Sequence, residues 1–406
     1  MKTPFQDKHI LLGVTGSIAV YKAADLASKL TQAGAQVDVL LTQPALQFIT
    51  PLTFQSVTGR RAYTDADLWG REAHILHVGL GQATDLLVIA PVTANTIAKL
   101  AHGMADNLLT VTALAARGPI MIAPAMDAGM FSHPSTQANL DILHQRGIVI
   151  IGPAEGHMAS GLSGVGRMVE PVEIMGHIRL VLGRYGSLQG RKVVVTAGGT
   201  QEPIDAVRAI TNRSSGKQGY ALAQAALDLG ASVTLISGPT SLPSPVGAQR
   251  LDVRTAQEMQ EAVLAETSQA DVLLMAAAVA DFRPIARATQ KIKKENGVPE
   301  IKLEVIPDIL TAVADQKVDK GYPCVTVGFA AESQNLLDNA QTKLRSKKLD
   351  LIVANDISAA DAGFGVDTNR VTLLDTEGRK ETLPLLSKAE VAEIVIERVV
   401  NLLSKI

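Results

Sequence analysis

The sequence predicts an α/β protein made of two doubly wound domains in tandem, each with a Rossmann-like or flavodoxin-like parallel sheet. Short runs that are apolar at every position, such as 86–90 (LLVIA), alternate with helical segments. Such runs are typical of parallel strands that helices cover on both faces. A strand that ends in a glycine turn occurs twice, at 10–17 (ILLGVTGS) and at 193–200 (VVVTAGGT). The glycine-rich segment 183–190 (GRYGSLQG) lies between them, so we predict domains at 1–187 and 188–406.

The predicted elements alternate in order along both halves of the chain. The first half has strands at 10–14, 36–41, 86–90, 119–122 and 148–151, with helical segments at 18–34, 94–102, 108–116 and 136–146. The second half repeats the pattern, with strands at 192–196, 232–237, 272–276, 325–329 and 349–354 and helical segments at 219–229 and 258–268. Ligands of open parallel sheets bind beyond the carboxyl ends of the strands. We therefore expect the functional residues directly after these strands.

Composition excludes several classes of function. The 406 residues carry a net charge of −2, and only 3% of them are aromatic. A nucleic-acid-binding surface needs a basic patch and stacking rings, so we expect small-molecule substrates and no nucleic acid. The sequence has no uncharged run long enough to span a bilayer and no signal peptide. Its single cysteine, Cys324, excludes an intrachain disulfide and a cysteine metal cluster. We expect a cytoplasmic protein that does not enter a membrane.

Polar residues follow three strands of the first half. Gly16 and Ser17 come after the first strand, Thr42 after the second, and Thr93 and Asn95 after the third. Taken singly, each of these hydroxyl or amide residues is more often a helix cap than a ligand contact. Together, at successive strand ends, they predict a site for a phosphate-bearing ligand.

With the segments 124–126 (PAM) and 161–168, these residues resemble the homo-oligomeric flavin-containing cysteine decarboxylases over about residues 8–182. The resemblance implies that FMN is bound by Gly16, Ser17, Thr42, Thr93 and Asn95, and that the first domain assembles as a trimer or larger. It also implies that His77 is the active-site base, and that Met126, residue 127 and Arg167 contact the substrate. A surface histidine before a strand is the structural alternative for His77.

Two positions depart from the pattern of this family. Asp127 replaces the asparagine that holds the substrate carboxylate, and Ser160 replaces the flap cysteine that acts in the final reduction. A carboxylate at 127 would repel the substrate carboxylate unless Asp127 is protonated or paired. A serine hydroxyl is a much poorer acid than a thiol, so the final reduction is the step most at risk. His157 is a possible substitute donor.

The second half has a denser set of motifs. Residues 210–219 (ITNRSSGKQG) combine polar and flexible residues before a predicted helix, and Asp281 comes directly after an apolar run. Lys291 opens a polar segment that we interpret as a flap. Lys343 and Lys347 are four residues apart on a predicted helix. Like charges at this spacing repel, so we predict that the two lysines share an anion.

These motifs resemble the phosphopantothenate–cysteine ligase domain over about residues 190–402. The two halves in this order resemble the bifunctional phosphopantothenoylcysteine decarboxylase/phosphopantothenate–cysteine ligases of coenzyme A biosynthesis. The resemblance implies that Asn212 holds an acyl-cytidylate, that Lys291 closes over the reacting phosphates, and that Mg²⁺ takes part, with ligands that the sequence does not identify. The second domain is expected to form a dimer. The implied CTP contacts are Asp281, Lys291, Pro307, Asp308, Ile309, Phe329, Lys343 and Lys347.

Two alternatives remain open at this stage. In the first, the ligase is active, and the first domain is a flavin- or partner-binding module whose decarboxylase is impaired by Asp127 and Ser160. In the second, the chain is an NAD-dependent oxidoreductase. This second alternative is disfavoured because neither half has the full G-x-G-x-x-G pattern followed by a ribose-binding acid, and Asp38 alone is insufficient.

Overall fold

A computed structural model of the protein divides it into two α/β units, Lys2–Leu182 and Gly183–Ile406. The structure describes residues 4–69, 75–158, 161–293, 295, 300–332, 335–356 and 365–406. The predicted fold class, two doubly wound α/β domains in tandem, is confirmed. Among the described residues, no helix has both the length and the apolar character needed to cross a membrane.

The first unit contains a six-stranded parallel sheet in the order β3-β2-β1-β4-β5-β6. The order reverses between β1 and β4, which places the switch point of a doubly wound sheet at their carboxyl ends. An antiparallel hairpin of β7 and β8 lies outside this sheet. The elements are β1 His9–Val14, α1 Val20–Gln32, β2 Gln36–Leu41, α2 Pro51–Thr58, β3 Ala62–Thr64, α3 Leu76–Ala83, β4 Leu86–Val92, α4 Ala94–His102, α5 Leu108–Ala115, β5 Ile120–Pro124, α6 Ala128–Ser132, α7 Pro134–Gln145, β6 Val149–Ile150, β7 Ala154–His157, β8 Ser163–Arg167 and α8 Pro171–Gly183.

Two hydrophobic cores cover the two faces of this sheet. Ile10 and Leu12 of β1 belong to one core, and Leu11 between them belongs to the other. Successive side chains of a strand point to opposite faces, so a strand that is buried on both faces must be apolar at every position. This requirement explains the continuous apolar runs in the sequence.

The second unit contains an eight-stranded sheet in the order β13-β12-β9-β14-β17-β18-β20-β21. Its first six strands are parallel and repeat the strand order of the first unit, with the switch point between β9 and β14. The elements are β9 Lys192–Ala197, β10 Gln201–Pro203, β11 Ala209–Thr211, α9 Lys217–Asp228, β12 Ser232–Ser237, β13 Gln249–Asp252, α10 Ala256–Thr267, β14 Val272–Met275, β15 Phe282–Pro284, β16 Leu303–Val305, α11 Ile309–Lys320, β17 Val325–Glu332, α12 Leu336–Ser346, β18 Leu351–Asp356, β19 Thr368–Asn369, β20 Val371–Asp375, β21 Lys380–Thr382, β22 Leu386–Ser387 and α13 Lys388–Leu403.

The far edge of the second sheet differs from the prediction of a parallel sheet. Strand β20 pairs antiparallel with both β18 and β21. The connection from β20 to β21 is a tight turn, in which Gly378 adopts a φ of 81°. A short turn can join only antiparallel strands, because a parallel pair needs a long crossover. The sheet is therefore mixed at this edge.

Candidate active sites

The switch point of the first sheet brings two of the predicted flavin-binding segments together. Thr15, the residue after β1, donates a hydrogen bond from Oγ1 to the carbonyl oxygen of Pro91 at 2.8 Å. The same Oγ1 accepts a hydrogen bond from the backbone N–H of Thr93 at 3.1 Å. The loop with Gly16 and Ser17 is thereby attached to the loop that begins α4.

The loop after β2 lies against the same place. The backbone N–H of Thr42 donates to the carbonyl oxygen of Val14 at 3.1 Å, and Thr42 is buried. A Cβ on Gly16 would lie 2.5 Å from Cβ of Pro44. Glycine is therefore required at position 16 because the two loops approach so closely.

Two predicted flavin-binding residues, Thr93 and Asn95, lie at the amino end of α4, and only Thr93 caps the helix. Thr93 is the N-cap of α4 and accepts the N–H of Thr96 through Oγ1 at 3.4 Å, as the helix-cap alternative predicts. Asn95 is exposed in the first turn of α4, and its side chain has no hydrogen-bond partner among the described residues. Its amide is available to a ligand.

The predicted substrate-binding residues Met126 and Asp127 lie beside the β7–β8 hairpin. The N–H of Met126 donates to the carbonyl oxygen of Gly166 at 3.0 Å. Asp127 is the N-cap of α6, and its Oδ1 accepts the N–H of Gly129 at 2.9 Å. The carboxylate at position 127 therefore has a partner in the protein. Ser160 lies outside the described residues.

The carboxyl end of this hairpin is attached to α1. Lys22 is buried, and its Nζ donates to the carbonyl oxygen of Met168 at 2.8 Å and to Oε1 of Glu170 at 2.9 Å. Arg167, a predicted substrate contact, donates to the same carboxylate at 2.7 Å. The Lys22 ammonium, with a smaller effect of Arg167, lowers the pKa of Glu170. One cluster of charged side chains thus joins α1, which follows the Gly16–Ser17 loop, to the β7–β8 hairpin.

His77 occupies the first turn of α3. It is half-buried, and its Nδ1 is buried without a hydrogen-bond partner among the residues that the structure describes. A buried ring nitrogen without a partner is unusual in a folded protein. The structure shows no hydrogen bond that joins His77 to the flavin-binding loops within the described ranges.

Asp38 has a structural role. Arg60 donates to both of its carboxylate oxygens, at 2.8 and 2.9 Å, and Nε2 of His9 lies 2.5 Å from Oδ2. Asp38 is buried beneath these partners, so it is not placed as a ribose-binding acid. The NAD-dependent alternative loses its one candidate residue.

In the second sheet, Asn212 lies at the switch point. Its Nδ2 donates to the carbonyl oxygens of Ala278 at 3.3 Å and Val279 at 3.0 Å, just beyond β14. The loop after β9 joins the same place, because the N–H of Thr200 donates to the carbonyl oxygen of Ala278 at 3.3 Å. Asn212 is thus held where two neighbouring parallel strands end.

A cavity of about 470 Å³ opens at these strand ends. One wall is the amino end of α9, whose N-cap, Gly216, has a φ of 80° and no side-chain capping hydrogen bond. The uncapped N–H groups and the positive end of the helix dipole favour an anion there. Of the predicted ligase-site residues, the cavity is lined by Asn212, Asp281, Pro307, Asp308, Ile309, Phe329 and Lys343.

The two predicted CTP lysines are placed differently. Lys343 lines the cavity and donates to the carbonyl oxygen of Phe329 at 3.0 Å. Helix α12 ends at Ser346, so Lys347 follows the helix as its C-cap. Its ammonium donates to Oγ1 of Thr311 at 3.0 Å and lies 3.2 Å from Oδ2 of Asp308. We therefore place Lys343 at the cavity and Lys347 as a partner of Asp308.

Asp308 is the N-cap of α11. Burial raises the pKa of this carboxyl, but the Thr311 N–H and the Lys347 ammonium together lower it below the ordinary value. Asp308 is therefore an anion that caps α11 and pairs with Lys347. Lys291 is exposed and is not part of the cavity wall.

Four further residues line the cavity: Lys217, which lies in the predicted motif 210–219, and Lys388, Asn355 and Asn369, which the sequence did not identify. Lys388 is buried, and burial together with the nearby Lys217 lowers the pKa of its ammonium. Lys217 pairs with Asp367 at 2.5 Å. The side-chain oxygens of Asn355 and Asn369 are buried without a partner in the described part of the chain. Of the three residues that the sequence did not identify, Asn355 had a usable signal, because it directly follows the apolar run 351–354.

No group of three or more His, Cys, Asp or Glu side chains within the described ranges is arranged to hold a metal ion. The cavity instead offers uncapped helix N–H groups, the ammonium groups of Lys217, Lys343 and Lys388, and two unpartnered amide oxygens. This set of donors and acceptors suits a polyanionic ligand that also carries hydrogen-bond donors.

Comparison with known proteins identifies the family of both halves of the chain. Residues 1–183 match the flavoprotein family, and residues 188–403 match the family described as the DNA/pantothenate metabolism flavoprotein C-terminal domain. The coenzyme A biosynthesis bifunctional protein CoaBC of Bacillus subtilis (strain 168) is 45% identical over 402 residues, which cover 98% of this chain and 97% of that protein. The protein of the same name from Vibrio vulnificus (strain CMCP6) is 44% identical over 398 residues, with 98% of each chain covered.

Among solved structures, the crystal structure of the C-terminal domain of a CoaBC protein is 39% identical, with a TM-score of 0.47, and covers 54% of this chain and 100% of that chain. The predicted resemblance of the whole chain is confirmed by the relatives that span nearly all of it. The chain therefore belongs to the family of coenzyme A biosynthesis bifunctional proteins, and it is a bifunctional enzyme with a flavoprotein domain followed by a ligase domain.

Proposed function

We propose that the second domain joins phosphopantothenate to cysteine at the expense of CTP. The observation that carries this proposal is the cavity in which the uncapped amino end of α9, Asn212 and Lys343 converge. The α9 end suits the phosphates of CTP, and Lys343 with the carbonyl of Phe329 lies where a base can be recognised. The names of the full-length relatives support the same pathway.

The chemistry follows from the charges around the cavity. A carboxylate that attacks the α-phosphate of CTP forms an acyl-cytidylate and releases pyrophosphate, so negative charge develops on the phosphates. Positive groups that are fixed before the reaction stabilise that charge in the transition state. Asn212 is neutral, so it can hold the acyl-cytidylate without attacking it. We propose that Lys291 adds its charge from the flap, and that Mg²⁺ accompanies CTP.

For the first domain we propose FMN-dependent decarboxylation of phosphopantothenoylcysteine to 4′-phosphopantetheine. The loops that carry Ser17, Thr42 and Asn95 are joined at the switch point, and the hydroxyl and amide groups of these residues suit a flavin phosphate. FMN, when bound, supplies the oxidation that makes loss of CO₂ possible. We propose that the unpartnered Nδ1 of His77 marks this imidazole as the base.

The departures at Asp127 and Ser160 bear on the decarboxylase. Asp127 is paired with the Gly129 N–H, which offsets part of its repulsion of a substrate carboxylate. We propose that Arg167, held beside Glu170, supplies the positive charge that the substrate carboxylate needs. Ser160 leaves the final proton donor open, with His157 as the candidate substitute.

We further propose a cytoplasmic homo-oligomer in which the first domain is trimeric or larger and the second is dimeric. In the first domain, Ile18 and Tyr21 next to the flavin loop are 60% and 62% exposed. In the second domain, the β15–β16 hairpin exposes Phe282 by 50% and Val305 by 73%. Exposed apolar side chains that cluster in this way are typical of subunit interfaces.

One experiment tests both activities. Purified protein receives phosphopantothenate, cysteine, CTP and Mg²⁺, and the products are separated and identified by mass. We expect phosphopantothenoylcysteine and then phosphopantetheine, from a protein whose flavin absorbance identifies FMN. Accumulation of phosphopantothenoylcysteine with FMN bound would favour an active ligase beside an impaired first domain. Absence of CTP-dependent product would contradict the ligase proposal.

A further inference from the structure

The turn between β10 and β11 is built around one buried carboxylate. The Asp205 side chain is 0% exposed. Its Oδ1 accepts the backbone N–H groups of Val207 and Arg208, both at 2.8 Å. Its Oδ2 accepts Nε and Nη2 of Arg208, at 2.9 and 2.5 Å. Asp205 therefore holds the turn and the Arg208 guanidinium in one arrangement.

The same carboxylate reaches the segment that contains Lys291. Oδ2 of Asp205 also accepts the backbone N–H of Ile292 at 3.1 Å, from a residue 87 positions away in the sequence. Arg208 donates through Nη2 to the carbonyl oxygen of Ile292 at 3.1 Å. The N–H of Ala288 donates to the carbonyl oxygen of Ile204 at 3.0 Å. Both backbone polar groups of Ile292 are thus satisfied by the Asp205–Arg208 pair.

Asp205 is ionised throughout the range in which enzymes are assayed. The Arg208 guanidinium, followed by the backbone N–H of Val207, holds the pKa of this carboxyl well below its usual range. A buried carboxylate is stable only when donors surround it, and Asp205 has five hydrogen bonds. An amide at this position could not accept all five, because one of its two polar atoms is a donor.

We propose that Asp205 is a positioning residue of the ligase reaction, which fixes the backbone of Ile292 and through it the neighbouring Lys291. The inference rests on the proposed ligase function and names a residue that never touches the substrate. The turn of Asp205 leads through β11 directly to Asn212. One carboxylate therefore sets the relative position of the two segments from which Lys291 and Asn212 act.

The position of the Lys291 ammonium depends on its backbone, because the lysine side chain is long and exposed. Lys291 is exposed, so no packing restricts where its ammonium points, and only its backbone can be fixed. A displacement of about 1 Å at a group that stabilises the transition state can cost about a hundredfold in rate. The buried Asp205 carboxylate, with Arg208, fixes the backbone position from which the Lys291 side chain extends.

The test is a double-mutant cycle between Asp205→Asn and Lys291→Gln in the full-length protein. The steady-state rate of pyrophosphate release from CTP, with phosphopantothenate and cysteine both present, is measured for each variant. We expect Asp205→Asn to lower kcat by about tenfold to a hundredfold and to leave the KM for CTP within about twofold, since the nucleotide cavity is untouched. In the double variant the losses should not multiply, because Asp205 acts through Lys291.

Asp252→Asn is the matched control. Asp252 also pairs with an arginine, Arg250, at 2.7 Å, but its side chain is 71% exposed, so this change should leave kcat unaltered. Multiplicative losses in the double variant, or an unchanged kcat in Asp205→Asn, would overturn the inference. A wild-type protein without CTP-dependent activity would instead refute the ligase function itself.

A second variant covers the case in which Asp205→Asn does not fold. Arg208→Lys keeps a positive charge beside Asp205 but loses the forked donor that reaches Ile292. We expect faster amide hydrogen exchange at Ile292, a lower kcat, and the same failure of the losses to multiply with Lys291→Gln. Faster exchange with an unchanged kcat would refute the positioning role.

Discussion

Replacement of Asn212 by aspartate tests how the ligase site is held together. The Asn212 amide donates to the carbonyl oxygens of Ala278 and Val279. A carboxylate of the same size cannot donate and would face two carbonyl oxygens. In the proposed reaction it would also bring a negative charge to the place where the α-phosphate of CTP is attacked. We therefore expect Asn212→Asp to retain the fold and to lose ligase activity.

The size of the loss follows from these contacts. Each neutral hydrogen bond contributes about 1 kcal/mol, so the two together contribute about 2 kcal/mol. Without these bonds, returning the side chain to its wild-type position for the reaction costs the variant about 2 kcal/mol, and at about 1.4 kcal/mol for each factor of ten this lowers the rate about thirtyfold. Charge repulsion adds to this figure. The expected decrease in kcat/KM is therefore at least about thirtyfold.

The assay is pyrophosphate release from CTP with phosphopantothenate, with mass detection of the acyl-cytidylate. Asn401→Asp, on the exposed last turn of α13, introduces the same charge away from the cavity and should be fully active. A decrease of less than about threefold in Asn212→Asp, with a normal melting temperature, would show that Asn212 does not hold the intermediate.

Three further predictions concern the first domain. His77→Asn should retain bound FMN and lose at least about a hundredfold in the rate of CO₂ release, because a general base contributes that much to a proton transfer. Flavin absorbance measures the bound FMN, and CO₂ trapping measures the decarboxylation. Loss of FMN in this variant would show that His77 has a structural role. Ser160→Cys should raise the ratio of phosphopantetheine to oxidised, decarboxylated product severalfold, as measured by mass analysis. The reason is that a thiol with a pKa of about 8.5 is a better acid than a serine hydroxyl. An equal ratio in wild type, Ser160→Cys and Ser160→Ala would show that the proton donor is another residue. The hydrogen bond to Asp38 raises the pKa of His9 in the folded protein. The contribution of the His9–Asp38 pair to stability is therefore complete below the pKa of an unfolded histidine, about 6.5, and decreases as the pH rises through the pKa of His9 in the folded state. Urea unfolding from about pH 5.5 to about pH 9 should therefore show a wild-type advantage over His9→Gln that shrinks with pH, and a constant difference would contradict the ion pair.

Local sequence was sufficient for most of the sheet. The predicted segments 36–41, 94–102 and 232–237 coincide with β2, α4 and β12. These elements were predictable because burial on both faces imposes apolar residues at every strand position, and this requirement acts within a few consecutive residues. The antiparallel edge of β20 and β21 was not assigned. Strand β20 is buried but only five residues long, and β21 has three mostly exposed residues, so neither strand gives a long apolar run in the sequence.

The candidate sites were predictable in part for the same reason. Gly16, Thr93 and Asp281 each follow an apolar strand in the sequence, and the carboxyl ends of parallel strands meet at one edge of a sheet. Lys347 was expected to share an anion with Lys343. Its pairing with Asp308 depends on how α11 and α12 pack, which the spacing along one helix does not encode.

By itself, the sequence determined the fold class, the residues that follow each strand and the family of the protein, since all of these depend on local patterns and motifs. Only the tertiary structure decided which distant residues act together. Asp205 and Ile292 are 87 residues apart in the sequence but share a hydrogen bond. Asn212 and the buried Lys388 are also distant in the sequence, and both line the same cavity. The physical reason is that burial and hydrogen bonding change the charge and mobility of a group only after the chain has closed these long loops.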